Sequence, residues 1–440
     1  MENNNKENNM NKIEKLRSAA EQGDVIAQRE LGLQFDEGFD VEQDYKEAMK
    51  WYRMAAENND AEAQYYLGSM FEEGHGVEVN YAEAARWYRK AAEQGDASAQ
   101  GSLGELYLRG DGVEQSDTEA FSLLQKAVEQ DDPIACYHLG RMYYKGWGVK
   151  QDYAEALRLF LKSVEERDGA VADVNGCTCT IGNMYFNGLG TEQDYEEAMR
   201  WYQKTADRNA EAQFRIGLLY DDGLGVEQNF EEAKKWYLMA SEQNYIDAIY
   251  NLGVLYLRKE EYLDAMEWFL KAAKQGDVDA EYNIGKMYEN GEGVEQNHTE
   301  ALRWYYKASE KNDASAMYSI GYMFFNGLGV KQDYKKAFDW YKKASERGNA
   351  WAMNNIGVMY AEGNGVKQDR SESVKWYQIA ADNGNTTAMI NLAGRYEVGD
   401  GLKKDLIEAQ RWYKLAADQG DEEAIEQLKR IQRNDPNKKV

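Results

Sequence analysis

A glycine that recurs about every 36 residues constrains the fold of this chain more than any other feature. Successive glycines are separated by 36, 36, 36, 42, 35, 36, 32, 36 and 36 residues, and an alanine follows after a further 36. A fixed period in this range indicates a stack of similar units, because each unit buries its apolar face only against its neighbours. These eleven places, termed the ruler positions, are Gly32, Gly68, Gly104, Gly140, Gly182, Gly217, Gly253, Gly285, Gly321, Gly357 and Ala393.

The residues around each ruler position predict a helix, termed helix A. A small residue lies five places before the ruler position, Leu or Ile lies one place before it, and Phe or Tyr lies three places after it. These offsets share one face of a helix with 3.6 residues per turn. Glycine inside a helix costs about 1 kcal/mol relative to alanine. Its repetition therefore predicts that another helix approaches the ruler position closely.

A Gly-x-Gly loop and a second helix, termed helix B, follow in most units. We expect the loop glycines to supply positive φ where helix A ends, and no strand precedes them as a nucleotide-binding motif requires. Helix B starts with capping-box spacing, as in Asn80-Tyr-Ala-Glu83, and carries an aromatic pair such as Trp87-Tyr88. We interpret this pair as packing anchors rather than a ligand cage. A pair such as Gly95-Asp96 ends one unit and caps the next.

The combined pattern resembles the Sel1-like repeat family, a relative of the tetratricopeptide repeat with a longer loop. In this chain it reads L-G-x-x-Y-x-x-G-x-G-V-x-x-D-Y-x-x-A-x-x-W-Y-x-x-A-A, with a small residue upstream, and it recurs eleven times. The resemblance implies an all-α fold, a right-handed α-α superhelix (solenoid) of about eleven helix-loop-helix repeats. It also implies a protein-protein interaction scaffold or adaptor. The resemblance does not identify the partner.

The repeats and the regions that flank them predict five segments. Residues 1–10 are rich in Asn and are expected to be a disordered tail, and residues 434–440 form a second tail. Residues 11–23 are predicted to be an N-terminal capping helix, and residues 421–433 a C-terminal one. Such terminal pieces shield the ends of a stack. Residues 24–420 then form one solenoid domain of eleven repeats.

Three irregular steps of the ruler fall between residues 165 and 262. The 42-residue step adds residues around Asp168–Asp173, and the 35-residue step drops one near Asn209 and Ala210. The 32-residue step removes the Gly-x-Gly loop. Because the twist of a solenoid is set unit by unit, we expect its regular curvature to change in this region.

Composition restricts the partners and the compartment. A net charge of −26 disfavours nucleic acid and anionic membranes, and it favours basic partners or simple solubility. No apolar run approaches the length of about 18 residues that a membrane span needs, so we expect no membrane insertion. Three cysteines cannot form a disulfide framework across eleven units. Secreted Sel1-like proteins staple each repeat with a cysteine pair, so the resemblance and the composition together predict a cytoplasmic location.

No residue pattern predicts catalysis, a cofactor or a metal ion. The three histidines lie in different units, without a partner at catalytic spacing: His75, His138 and His298. Cys136-x-His138 and Cys177-x-Cys179 occupy neighbouring helices A and raise the question of zinc. Residues two apart on a helix point about 200° apart, so ordinary packing is favoured. We therefore predict that the protein is not an enzyme.

Two other functions remain open beside the scaffold. Some secreted Sel1-like proteins are linked to β-lactam binding or hydrolysis, so the resemblance admits a hydrolase of cell-wall-type small molecules. This chain lacks the cysteine pairs of those secreted proteins, which weakens the inference of a hydrolase. The second alternative is a purely structural or oligomer-forming component.

The surface predicted to bind a partner lies three places before the ruler position. In tetratricopeptide stacks helix A lines the concave side, and this position is expected to face the groove. Aromatic residues are over-represented at interface cores. The same side chains are equally expected from packing against the next unit, so both interpretations stay open. The candidate residues are Tyr65, Tyr137, Phe214, Tyr250, Tyr282 and Tyr318, with Tyr322 one place after the ruler.

Overall fold

The computed structural model describes residues 13–164 and 176–433, and this part of the chain forms helices and no strands. Helix α1 spans residues 13–21, and α24 spans Glu422–Arg433. The helices A are α2 (Val25–Glu37), α4 (Ala61–Glu73), α6 (Ala97–Arg109), α8 (Pro133–Lys145), α10 (Cys177–Asn187), α12 (Ala210–Asp222), α14 (Ile246–Arg258), α16 (Val278–Asn290), α18 (Ala314–Asn326), α20 (Ala350–Glu362) and α22 (Thr386–Val398). The helices B are α3 (Tyr45–Glu57), α5 (Tyr81–Glu93), α7 (Asp117–Val128), α9 (Tyr153–Ser163), α11 (Tyr195–Gln203), α13 (Phe230–Glu242), α15 (Tyr262–Lys274), α17 (His298–Glu310), α19 (Tyr334–Ser345), α21 (Arg370–Asp382) and α23 (Leu406–Asp418).

Helices pack mainly against their neighbours along the chain. Helix A contacts helix B of the same repeat, and helix B contacts helix A of the next. This confirms the predicted all-α solenoid of about eleven repeats. The chain divides into two compact units, Met1–Ala233 and Lys234–Val440. Each unit contains several local hydrophobic cores, because the repeats bury their apolar faces on one another.

Side-chain caps explain where the helices begin. Asp96 accepts a hydrogen bond from the backbone N–H of Ala99 at 2.8 Å, and Asn80 accepts one from Glu83 at 3.1 Å. The second half of the predicted capping box does not form at Asn80. Its backbone N–H donates instead to the carbonyl of Phe71 at 2.8 Å. That carbonyl lies in the last turn of α4 and has no partner within the helix, so this bond satisfies both groups.

The two glycines of the loop have different roles. Gly110 ends α6 in the left-handed region, with φ at +75°, as predicted. Gly112 also has positive φ, but a Cβ built on it would lie 2.2 Å from the carbonyl carbon of Tyr81, in the preceding repeat. No other residue type fits so close to a neighbouring backbone. The second glycine therefore joins successive repeats, a contact that the sequence pattern did not predict.

Two of the three irregular steps lie within the described residues. Helices α14 and α15 are joined by residues 259–261, so the predicted loss of the Gly-x-Gly loop is confirmed. Helix α11 ends early, at Gln203, and α12 begins at Ala210 after a run of turns. The additional residues around Asp168–Asp173 lie outside the described residues. The change of curvature stays a prediction.

The terminal helices extend the first and last cores. Ala20 of α1 is fully buried, and Gln28 of the first repeat donates a hydrogen bond to its carbonyl at 3.0 Å. Helix α24 buries Ala424 and Ile431, whereas Lys429, at the place of the ruler glycine, is exposed. The predicted tails fall outside the described residues, and the predicted segment boundaries stay predictions.

Within the described chain, no helix is both long enough and apolar enough to cross a membrane.

Candidate partner-binding surface

Because the ruler glycine has no side chain, it leaves room for an aromatic ring from helix B of the same repeat. A Cβ at Gly68 would lie 2.6 Å from the ring of Tyr88, and a Cβ at Gly285 would lie 2.5 Å from the ring of Tyr305. Both rings are fully buried. The predicted close approach of a second helix is thus confirmed. The second aromatic of the helix-B pair is a packing anchor, as the sequence indicated.

The hydroxyl of this buried tyrosine extends past the ruler glycine towards the helix-A surface. In several repeats it donates a hydrogen bond there to a carboxylate four residues after the ruler position. Burial raises the pKa of the Glu72 carboxyl, and the bond from Tyr88 partly opposes that rise. The sequence analysis missed this pairing. The pairs are Tyr52 with Asp36 (3.1 Å), Tyr88 with Glu72 (2.7 Å), and Tyr305 with Glu289.

The residue type four places after the ruler position varies with the type of the helix-B residue that packs on the ruler glycine. Where that residue has no hydroxyl, the position carries no carboxylate. Wherever the acid is present, the helix-B ring is a tyrosine, so the acid is matched to a hydroxyl. The three pairs without a helix-B hydroxyl are Leu124 with Leu108, Phe160 with Tyr144, and Phe269 with Leu257.

Three repeats keep the tyrosine but lack the carboxylate: Tyr202 with Phe186, Tyr341 with Phe325, and Tyr377 with Ala361. In the first of these, the hydroxyl of Tyr202 donates a hydrogen bond to Asn183 at 2.9 Å instead. The repeat formed by α18 and α19 differs from it. Tyr341 keeps its hydroxyl and is 1% exposed, yet Phe325 occupies the place of the carboxylate. Among the described residues, the hydroxyl of Tyr341 makes no hydrogen bond of good geometry, and the side chain it faces is the neutral amide of Asn355. A cavity of about 170 Å³ opens beside it. The lining residues are Tyr322, Phe325, Asn326, Tyr341, Asn355 and Val358.

The difference between these repeats can be measured by removing one hydroxyl at a time. Tyr88→Phe should lower the free energy of unfolding by about 1–2 kcal/mol, because the partly buried Glu72 loses a donor. Tyr341→Phe should change it by less than about 0.5 kcal/mol, since no bond to a carboxylate is lost. Urea titrations of both variants at neutral pH test this. The cost of Tyr88→Phe should shrink once the pH falls below the raised pKa of Glu72. Equal costs would contradict the assignment.

Five of the seven predicted tyrosine and phenylalanine positions are partly buried tyrosines that lie against the helix-B ring of their own repeat. The ring centroids are 5.6–6.1 Å apart, and the rings are tilted. Burial raises the pKa of Tyr65 to about 12. Each of these side chains therefore contributes to packing while keeping part of its surface open. These five are Tyr65, Tyr137, Tyr250, Tyr282 and Tyr318.

The remaining two predicted residues differ in exposure. Phe214 is 7% exposed and belongs to the first compact unit. Tyr322 is 41% exposed and belongs to the second, where its ring is stacked 6.5 Å from that of Tyr318. The second unit thus holds four of the predicted residues on successive helices A: Tyr250, Tyr282, Tyr318 and Tyr322.

The hydroxyls of these tyrosines reach the next repeat. Asn283 of α16 donates a hydrogen bond to the hydroxyl of Tyr250 of α14 at 3.2 Å. By the same offset, Tyr282 faces Ser319 and Tyr318 faces Asn355. Each partner lies two places before the next ruler position. The tyrosines are therefore held between repeats, and the predicted packing against the next unit contributes through their hydroxyls.

The cysteine and histidine residues considered for zinc are buried in the cores. The three cysteines are free thiols, and His138 is 1% exposed. Its Nε2 lies 3.2 Å from a carboxylate oxygen of Glu105, and this contact lowers the pKa of Glu105. No group of three or more His, Cys, Asp or Glu side chains suited to a metal ion occurs in the described parts of the chain.

These features define a class: an all-α solenoid of helix-loop-helix repeats, of the Sel1 and tetratricopeptide type. Such proteins are generally protein-interaction scaffolds and are typically not catalytic. The Sel1 repeat model matches eleven segments of the chain, and the protein belongs to the Sel1 repeat family. The matched residues are 25–60, 61–96, 97–132, 133–168, 181–209, 210–245, 246–277, 278–313, 314–349, 352–385 and 386–421.

One solved structure supports this membership, and a second is similar in sequence. A protective antigen of uropathogenic Escherichia coli strains, which has the Sel1-like repeat fold, is 32% identical, with a TM-score of 0.72. The match covers 96% of this chain and 90% of the antigen. A Sel1 repeat protein of Oxalobacter formigenes is also 32% identical, over 64% of this chain and 99% of that protein, with a TM-score of 0.43. No curated protein matches the chain.

Proposed function

We propose that this protein is a scaffold that binds an extended segment of a partner protein on the helices A of its second compact unit. The binding surface, termed the tyrosine stripe, consists of Tyr250, Tyr282, Tyr318 and Tyr322. The proposal is supported mainly by one observation: tyrosines at one offset on three successive repeats are each held by a helix-B ring and face a polar side chain of the next repeat.

The fixed geometry of the tyrosine stripe favours binding. A side chain that is already held in place loses little conformational entropy when a ligand covers it. Tyrosine offers both an apolar ring and a hydroxyl, which explains why it is enriched among the residues that dominate binding energy. Because Tyr322 is 41% exposed, part of the stripe is open to a ligand.

The overall charge indicates which partners associate fastest. With a net charge of −26, the protein attracts Lys and Arg on a partner. This attraction acts mainly on the association rate and is screened by salt over about 8 Å at physiological ionic strength. The partner segment is therefore expected to be basic near its anchors, and capture should weaken as salt increases.

Substitution of two stripe residues tests the proposal. A Tyr250→Ala, Tyr282→Ala variant should lose capture of its partner from native lysate by about tenfold or more, as expected when interface anchors are removed. Tyr250→Phe with Tyr282→Phe keeps the rings and should retain most of the capture. Thermal unfolding should be measured for each variant, because the rings also pack.

A matched pair in the first unit supplies the control. Tyr65→Ala with Tyr137→Ala removes side chains that lie on their helix-B rings in the same way. This variant should lose comparable stability and keep the capture. If it loses capture while the Tyr250, Tyr282 variant does not, binding lies in the first unit and the proposal is wrong. If both variants capture normally, the tyrosines serve packing.

A further inference from the structure

We propose that the cavity beside Tyr341 is the anchor pocket of the tyrosine stripe and takes one uncharged aromatic side chain of the bound segment. This inference rests on the proposed function, because the pocket adjoins Tyr322 on the same helix-A surface. It adds the chemistry of the side chain that the partner must present. It also assigns the pocket to one repeat, α18 and α19, together with the following α20.

The size of the pocket fits one ring. Its volume is about 170 Å³. A protein cavity of about 150 Å³ lined by apolar side chains binds one benzene molecule. The rings of Tyr322 and Phe325 and the methyl groups of Val358 provide apolar walls, and aromatic rings gain from tilted or offset contact with one another.

The charge of the lining selects an uncharged anchor. Although the chain carries a net charge of −26, the described lining contains no carboxylate and no basic side chain. Its polar groups are the neutral amides of Asn326 and Asn355 and the hydroxyl of Tyr341. Burial of an unpaired charge in such a site is costly, whereas a neutral ring is complementary to it. Basic residues of the partner therefore lie outside the pocket.

The hydroxyl of Tyr341 supplies a specific donor. The equivalent tyrosines Tyr52 and Tyr88 donate to carboxylates, but Phe325 removes that acceptor here. A buried donor without a partner is unfavourable, so a ligand that brings an acceptor is favoured. A backbone carbonyl next to the aromatic residue of the partner is such an acceptor. Phe325 thus both forms a wall of the pocket and removes the carboxylate that would accept the hydroxyl of Tyr341.

Peptides selected from a random library on the immobilised full-length protein serve as the probe. The selected peptides should share one aromatic residue. Val358→Trp fills the pocket and should weaken their binding by about tenfold or more in a titration. The matched control is Leu33→Trp, which lies at the same offset from Gly32 as Val358 from Gly357 but in the first compact unit, outside the tyrosine stripe. It should stay within about twofold of the native protein.

A second variant tests the donor separately. Tyr341→Phe should weaken peptide binding by about two- to tenfold without lowering the thermal midpoint, because only a bond to the ligand is lost. A purely structural role of Tyr341 would not give this combination. Unchanged binding to Tyr341→Phe would overturn the assignment of the donor.

The outcomes separate the pocket from the proposed function. If peptides bind and depend on Tyr250 and Tyr282 but not on Val358→Trp, the stripe stands and the pocket inference is overturned. If Leu33→Trp weakens binding as much as Val358→Trp, or if the shared residue is aliphatic or charged, the aromatic pocket is also overturned. If no peptide is selected, the peptide-binding function fails, and the pocket inference fails with it.

Discussion

Gly112→Ala should lower the free energy of unfolding by about 3 kcal/mol or more, although it adds one methyl group on a surface loop. Two effects add. Gly112 has φ at +68°, a conformation that costs alanine about 1–2 kcal/mol. The added Cβ would also lie 2.2 Å from the carbonyl carbon of Tyr81, and backbone at the start of α5 moves less easily than a side chain. We expect the two repeats to separate locally.

Gly95→Ala is the matched control for Gly112→Ala. Gly95 has φ at +95°, but nothing lies within 4 Å of a Cβ built there. This variant should therefore show the conformational cost without the steric one, about 1–2 kcal/mol. Urea titrations followed by circular dichroism measure both. If the two variants have the same midpoint, the contact with Tyr81 contributes nothing and repeats are joined elsewhere.

The parts of the fold that depend on local spacing were predictable. The offsets around Gly68 place four kinds of residue on one helix face; Ala63, Leu67 and Gly68 are buried as expected, and the aromatic residue Phe71 is partly buried. Asp96 and Asn80 have short acceptor side chains at helix starts, and both cap as predicted. These features follow from residues within one or two helical turns of each other, so the chain sequence contains all of the geometry that they need.

Contacts between repeats were not predictable in the same way. The contact of Gly112 with Tyr81 depends on how one repeat sits on the previous one. So does the position of Gln64, which is buried and donates a hydrogen bond to the carbonyl of Ala56 at 3.0 Å. From the sequence alone, a polar residue on helix A is expected to be exposed. Only the structure shows that the end of the preceding helix B lies next to it and accepts its hydrogen bond. The repeated sequence pattern shows that such residues recur, but it does not identify the groups that they contact in the neighbouring repeat.

The sequence predicted the line of tyrosines in the candidate site, but it did not predict the cavity or the hydrogen bonding beside it. The period placed Tyr250, Tyr282 and Tyr318 at one offset, which is enough to suggest a line of side chains. The cavity is lined by Phe325, which is informative only because several other repeats carry at this place a carboxylate that accepts the helix-B tyrosine hydroxyl. That pairing could be recognised only in the structure, because the ring and its acceptor meet across the ruler glycine.

Gly68→Leu tests the close approach at the ruler. A Cβ at this position would lie 2.6 Å from two ring atoms of the fully buried Tyr88, so the larger side chain must displace that ring. We expect the free energy of unfolding to fall by about 1–3 kcal/mol, even though leucine favours a helix more than glycine does. Ala393, the native residue at the last ruler position, shows that one methyl group is accommodated beside Tyr413, which is itself 4% exposed.

Gly394→Leu supplies the control for Gly68→Leu, because it makes the same change in a helix interior one residue away from a ruler position. A Cβ at Gly394 would meet only the hydroxyl of Tyr413, at 3.8 Å. With space available, the helix preference of leucine should dominate, and the variant should gain about 0.5–1 kcal/mol. Opposite signs for the two substitutions in urea titrations would show that the ruler glycines are required by the helix-B ring. A native-like midpoint for Gly68→Leu would contradict this.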